Sequence, residues 1–158
     1  MDTIYIETSI PSTYFEQRTD PKIAARREWT RDWWDNHRHE YRLVTSNAVL
    51  EELNGADYPM KHEKIALLDG LELLAVSPAI AEIVEVYIAR YVMPRDPAGD
   101  ALHLALASHH KCDVLLTWNC QHLANLNKQG HIRRMNTLLG LHVPSLVTPL
   151  ELLEERLP

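Results

Sequence analysis

Residues 100–119, DALHLALASHHKCDVLLTWN, join a helix pattern to a strand pattern with almost no break. Asp100 opens a run rich in alanine and leucine that reads as a helix to about His110. Asp113–Thr117 (DVLLT) follows, short and apolar enough for the centre of a sheet. A helix that leads into a strand of a parallel sheet starts at the sheet's carboxyl edge, so Asp100 is expected there. Asn119, two residues past the strand, is expected on the same edge. Ligands of open α/β sheets bind on that edge.

The same alternation runs outward through the chain. Thr3–Glu7 (TIYIE) is a β-branched, apolar strand closed by Thr8, Ser9 and Pro11. Asp20 as N-cap and Pro21 at the first helical position start a helix to about His37. Arg42–Ser46 is a second strand, and Ser46 or Asn47 caps a helix carrying AVLEEL, which Gly55 and Pro59 break. A helix over Met60–Leu68, a strand over Leu71–Val76, and a helix from Ser77-Pro78 to about Val92 come next. Pro94–Gly99 reads as a loop. A last strand near Ser145–Thr148 precedes a helix begun by Thr148-Pro149. Strands alternating with helices require right-handed crossovers and a parallel sheet. The expected fold class is α/β, a three-layer α/β/α domain over residues 1–158.

Composition narrows the class. The 158 residues are 46% hydrophobic and 24% charged, as in a globular domain with one sizeable core. No apolar run approaches the roughly 18 residues of a membrane span. The start MDTIYIETS lacks the basic and apolar regions of a secretory signal. Two cysteines, Cys112 and Cys120, provide no disulfide framework, so a cytoplasmic setting is expected. A net charge of −6 argues against coating nucleic acid through bulk charge, but leaves room for a local basic track.

Four placements then agree. Glu7 ends the first strand, Glu52 lies about a turn into the helix after the second, and Asp100 and Asn119 flank the fourth. Glu52 is preferred to Glu51, which points about 100° away around the helix. Carboxylates from distant segments repel one another unless something positive lies between them. A hard divalent cation with oxygen ligands is the simplest candidate. His103, one turn after Asp100, is placed to orient Asp100 or to touch substrate.

The segments YIETSIPS, SNAVLEEL, DALHLALASHHKCDVLLTWN and VTPLELL together resemble the PIN domain. That family of metal-dependent ribonucleases includes the VapC-type toxins of toxin–antitoxin pairs. The resemblance implies a Mg²⁺- or Mn²⁺-dependent endoribonuclease. Glu7, Glu52 and Asp100 would be its metal ligands, and Asn119 a fourth catalytic residue. It also implies an RNA substrate and an antitoxin partner. Two residues depart from the family's usual acids: Glu7 is one methylene longer than Asp, and Asn119 is neutral. The neutral Asn119 keeps open an alternative, a catalytically weakened PIN-like module that binds RNA or protein.

Three further signals carry expectations. Lys22, Arg26 and Arg27, with Arg31 and Arg38, form a basic set on the first long helix that reads either as a solvated face or as a phosphate track, with the first three as candidate substrate contacts. Lys128, Arg133 and Arg134 form a second set. Trp29, Trp33 and Trp34 read mostly as core, though one exposed ring could stack on a base. The stripe Ile80, Ile83, Val84, Tyr87, Ile88 and Tyr91 is too rich for one face of a small domain, and part of it suits a homodimer or an antitoxin helix. His109, Cys112, Cys120 and His122 resemble a zinc set. A strand of five residues separates the halves by roughly 17 Å, too far for one ion or a Cys112–Cys120 disulfide.

Overall fold

The computed structural model describes residues 1–55, 57–95 and 99–157. Five parallel strands form one sheet in the order β3-β2-β1-β4-β5. They are β1 (Thr3–Ile6), β2 (Arg42–Ser46), β3 (Glu72–Leu74), β4 (Val114–Leu116) and β5 (Ser145–Val147). Eight helices among the described residues complete a three-layer α/β/α fold: α1 (Ser9–Tyr14), α2 (Pro21–His37), α3 (Asn47–Asn54), α4 (Lys61–Leu67), α5 (Pro78–Ala89), α6 (Gly99–His109), α7 (Leu126–Leu138) and α8 (Pro149–Glu154). A 3₁₀ turn, Arg38–Glu40, leads into β2.

β1 is the centre of the sheet, with Tyr5 in register with Val44 of β2 and Leu115 of β4. Ile4, Tyr5, Ile6, Val44 and Leu115 are inaccessible to solvent. Strands buried on both faces read as continuous apolar runs, and TIYI and VLL do so because helices cover both sides. The chain leaves β1 toward β2 but leaves β4 toward β5. The order therefore reverses between β1 and β4, and a crevice opens outside their carboxyl ends.

Several local rules operate as expected. The Asp20 side chain accepts from the Lys22 N–H at 3.1 Å, with Pro21 opening α2. Thr148 and Glu151 close a capping box at α8. Other elements differ in extent. The strand expected over Leu71–Val76 pairs only through Glu72–Leu74, as an edge strand with one partner. α5 stops at Ala89 rather than Val92, because Tyr91 turns left-handed (φ 60°) and Val92 N–H returns to the Tyr87 carbonyl at 2.8 Å. The loop expected over Pro94–Gly99 lies in part outside the described residues, at 96–98.

Two helices have no clear pattern in the sequence. α1 forms although Pro11 sits in it, since N–H groups of a first helical turn lack intrahelical partners anyway. α7 is polar and contains Gly130; its Asn125 cap, which accepts from the Asn127 N–H at 2.9 Å, and the burial of Ile132 and Asn136 hold it.

Candidate metal centre

The carboxyl end of β1 delivers Glu7 to the crevice, where it is 6% exposed. Its Oε1 accepts from the Ser9 and Thr117 hydroxyls, both at 2.5 Å, and its Oε2 from the Ser9 N–H at 3.1 Å. The same hydroxyls are themselves held: Ser9 Oγ accepts from Trp118 N–H at 2.8 Å and Thr117 Oγ1 from Asn119 N–H at 2.9 Å. Glu7 is thus clasped between the loop after β1 and the loop after β4. The signal for this clasp was the hydroxyls flanking the two strand ends, Ser9 and Thr117, which the reading of the acids alone passes over.

Glu52 comes from the second turn of α3. Like Glu51 it is an exposed residue, but its carboxylate is held by hydrogen bonds at the crevice. Glu52 Oε1 meets His103 Nε2 at 2.7 Å and Oε2 accepts from the Thr8 hydroxyl at 2.7 Å. His103, buried on α6, also meets the Tyr5 hydroxyl through Nδ1 at 2.7 Å, and Tyr5 in turn meets Ser46 Oγ at 2.7 Å. His103 therefore orients Glu52, not Asp100. Ser46 spends its hydroxyl on this relay and leaves α3 without a side-chain cap. Gly99 closes the arrangement: a Cβ there would stand 2.6 Å from Glu52 Oε1, an oxygen already fixed by His103. A side chain at residue 99 would push that carboxylate away.

Electrostatics follow from this geometry. Burial raises the Glu52 carboxyl, but the His103 hydrogen bond and charge and the Thr8 hydroxyl outweigh it, leaving its pKa below the ordinary value. Burial lowers His103, yet Glu52, Glu7 and Asp100 around it pull its pKa above the usual histidine value.

Asp100, second residue of α6, is 8% exposed and stands in a different state. Its Oδ1 accepts from Asn119 Nδ2 at 3.0 Å, while its Oδ2 is buried with no partner among the described residues. Burial raises its pKa above the ordinary aspartate value, against the opposing pull of Asn119, His122 and His103. The orientation of Asn119 is fixed by its own turn, because Oδ1 accepts from the Gln121 and His122 N–H groups at 3.2 and 3.0 Å. Asn119 therefore offers Asp100 a donor and turns its oxygen away.

Ligating atoms of Glu7, Glu52 and His103 lie within 4.8 Å of one another. No other group of His, Cys, Asp or Glu among the described residues comes together in this way, and Cys112 and Cys120 are free thiols. Asp100 lines a cavity of about 600 Å³ together with Glu52, Thr8 and Gly99. The residues fit a divalent cation. Asp100 Oδ2 is an uncommitted buried acceptor, a costly state unless something positive meets it, and hard cations favour carboxylate oxygen.

The basic set divides in space. Arg26 lies with its guanidinium 5.0 Å from the centroid of the Trp118 ring, next to Asn119, and Trp29 stacks against Trp118 at 6.2 Å. Arg27 is spent on the Glu16 carbonyl at 3.0 Å and on Glu28, and Arg31 on the Tyr14 carbonyl at 2.8 Å. Lys22 is exposed at the start of α2. Trp33 and Trp34 are buried, and Lys128 reaches the Val92 carbonyl at 3.1 Å.

No curated protein matches the chain. A family model described as PIN domain matches residues 4–120, a span that begins in β1 and ends just past Asn119. A crevice at the β1/β4 switch, an acidic cluster within it and this match over most of the chain agree: the protein belongs to the PIN domain family, whose members are generally divalent-metal-dependent nucleases.

Proposed function

We propose that the protein is a Mg²⁺- or Mn²⁺-dependent endoribonuclease that hydrolyses RNA phosphodiester bonds, and that it is the toxin of a type II toxin–antitoxin pair acting in the cytoplasm. Residues 1–158 would form one nuclease domain, a reading supported by β5 pairing with β4 and by the Arg156–Glu40 ion pair that ties the C-terminal segment to the turn before β2. The observation that carries the nuclease reading is a clasped Glu7 on the same crevice as an Asp100 whose Oδ2 has no partner among the described residues. Glu7, Glu52 and Asp100 would hold the ion, which when bound supplies Lewis acidity and a more acidic water.

The chain's own groups do the positioning. Ser9 and Thr117 fix the Glu7 carboxylate, and Thr8 with His103 Nε2–H fixes that of Glu52. Asn119 Nδ2 holds one oxygen of Asp100, and the other has no partner among the described residues and would be left for the ligand. Arg26, backed by Trp118, is the member of the basic set best placed to meet a phosphate beside the site. Lys22 and Arg27 remain candidate contacts farther along α2.

A partner surface is supported on α5. Ile80 and Tyr87 face the core, Ile83, Val84 and Ile88 are half-buried, and Tyr91 is 84% exposed. Ile83 and Val86 also line an apolar groove with Leu139 and Leu141, which suits a second copy of the chain or an antitoxin helix.

A mixed RNA pool incubated with the purified protein in Mn²⁺ should be cleaved, and a chelator should stop it. An intact pool in Mn²⁺ would overturn the enzyme reading. It would favour the alternative of a catalytically weakened RNA- or protein-binding module, for which Asn119 speaks by placing a neutral amide where a fourth acid would complete the set.

A further inference from the structure

The cavity of about 600 Å³ beside the acidic cluster has an unlike lining. Glu52 and Asp100 contribute carboxylates; Tyr58 and Lys64 contribute an aromatic ring and an ammonium. Its size falls within the range of roughly 300–1,000 Å³ typical of small-molecule sites. Lys64 is the sole cation among the lining residues, and its ammonium makes no ion pair or hydrogen bond among the described residues. It rests 5.7 Å from the centroid of the Tyr58 ring, which is itself 51% exposed.

The backbone sets up this pairing. Pro59 restricts Tyr58 to extended conformations. Met60 then turns left-handed (φ 61°), a conformation that side chains rarely adopt, and its carbonyl accepts from the Lys64 N–H at 2.9 Å as α4 begins. Strain of this kind persists where the surroundings over-determine it, and often at ligand clamps. The turn brings Lys64 back over Tyr58.

We infer that the Tyr58–Lys64 pair in this cavity is a nucleotide subsite: the base of the residue next to the scissile phosphate stacks on Tyr58, and its outer phosphate takes the Lys64 ammonium. The inference rests on the nuclease reading above. With Glu52 and Asp100 committed to the ion, Lys64 is the cation of the lining left for the phosphate flanking the scissile one. A flat ring suits the exposed aromatic face, and stacking tolerates any base. Lys64 can leave the ring for the phosphate as the base arrives, because no other described residue holds its ammonium.

Two measurements on the full chain test this. Mg²⁺-loaded protein is titrated with the four nucleoside 5′-monophosphates, followed by amide NMR, for the parent and for Tyr58→Phe, Tyr58→Ala and Lys64→Ala. Cleavage of the RNA pool is then measured for the same proteins. Tyr58→Ala should weaken nucleotide binding roughly 5- to 150-fold while Tyr58→Phe retains it. Lys64→Ala should flatten the salt dependence of RNA KM by about 0.7 in log–log slope. Mn²⁺ affinity should be unchanged in all three. Nucleotide binding at Tyr58 without RNA cleavage by the parent would keep the subsite and sink the nuclease reading. Cleavage with parental KM in both alanine variants would sink the subsite and keep the nuclease. Tyr58→Phe, which removes only a hydroxyl, guards against a folding defect: binding lost there as fully as in Tyr58→Ala would also overturn the stacking assignment.

Discussion

Glu7 and Asp100 are nearly equally buried, at 6% and 8%, yet they are held in opposite ways. Glu7 receives two hydroxyls and a backbone N–H from both flanking segments; Asp100 receives one amide, and its other oxygen has no partner among the described residues. The Glu7 side of the crevice, with Ser9, Thr117, Trp118 and Arg26, is cross-linked before any ligand arrives. The Asp100 side keeps a buried oxygen with no partner among the described residues. The difference teaches that this site is half built by the fold and half left for its ligands to complete, which combines preorganisation with binding-dependent stability.

The sharpest way to break that contrast is to delete each acid. Glu7→Ala and Asp100→Ala should both abolish Mn²⁺-dependent RNA cleavage, by more than the roughly 100-fold that loss of a mere supporting group costs a metal site. Their stabilities should diverge. Without Glu7 the buried Thr117 hydroxyl loses its acceptor, and the metal-free protein should lose about 1–3 kcal/mol. Without Asp100 an unsatisfied buried oxygen disappears, so metal-free stability should hold or rise. Urea unfolding in chelator measures this. Equal destabilisation by the two changes would erase the distinction.

Acid titration tests it from another side. The Asp100 pKa is raised in the fold, so its contribution is fully present below the ordinary 3.8 and is lost as pH rises through the raised value. The Glu52 pKa is lowered, so its contribution is present above 4.5 and is lost as pH falls through the depressed value. In chelator, Asp100→Asn should therefore gain on the parent as pH rises from about 4 toward neutrality. Glu52→Gln should lose ground over the same rise. Unfolding midpoints at a series of pH values give the answer, and parallel curves for the two variants would contradict the assigned environments.

Asn119→Asp probes the open side more gently. The carboxylate would keep the turn's N–H donors on one oxygen and set the other against Asp100. Metal-free stability should fall and Mn²⁺ affinity should rise, as the added charge strengthens attraction to the ion. Calorimetry with Mn²⁺ decides; equal or weaker binding would place residue 119 outside the ion's reach.

The smallest effect is expected on α2. Arg26→Ala should flatten the salt slope of RNA binding by about 0.7 without touching Mn²⁺ affinity. Arg27→Ala should leave the slope nearly intact and cost some stability, because its guanidinium holds the Glu16 carbonyl. If Arg27 alone alters the slope, the phosphate track runs along another face of the helix.

Much of this was legible in the chain because it follows short-range rules. Period and punctuation gave the strands and most helices, and alternation gave a parallel sheet. The placement of Glu7, Glu52, Asp100 and Asn119 at one edge needs only the direction of each element. α1 and α7 escaped, since a first-turn proline and a polar, glycine-containing helix are tolerated for reasons of context rather than pattern. What tertiary structure alone decided is who holds whom. His103 is one helical turn from Asp100 in sequence, yet its ring lies on Glu52, 51 residues away. Ser9 and Thr117 meet at Glu7 from loops more than a hundred residues apart. Sequence fixes which backbone edge a residue reaches through local dihedral preferences. Hydrogen-bond partners across a crevice are set by packing to fractions of an ångström between distant segments, and no local pattern encodes that distance.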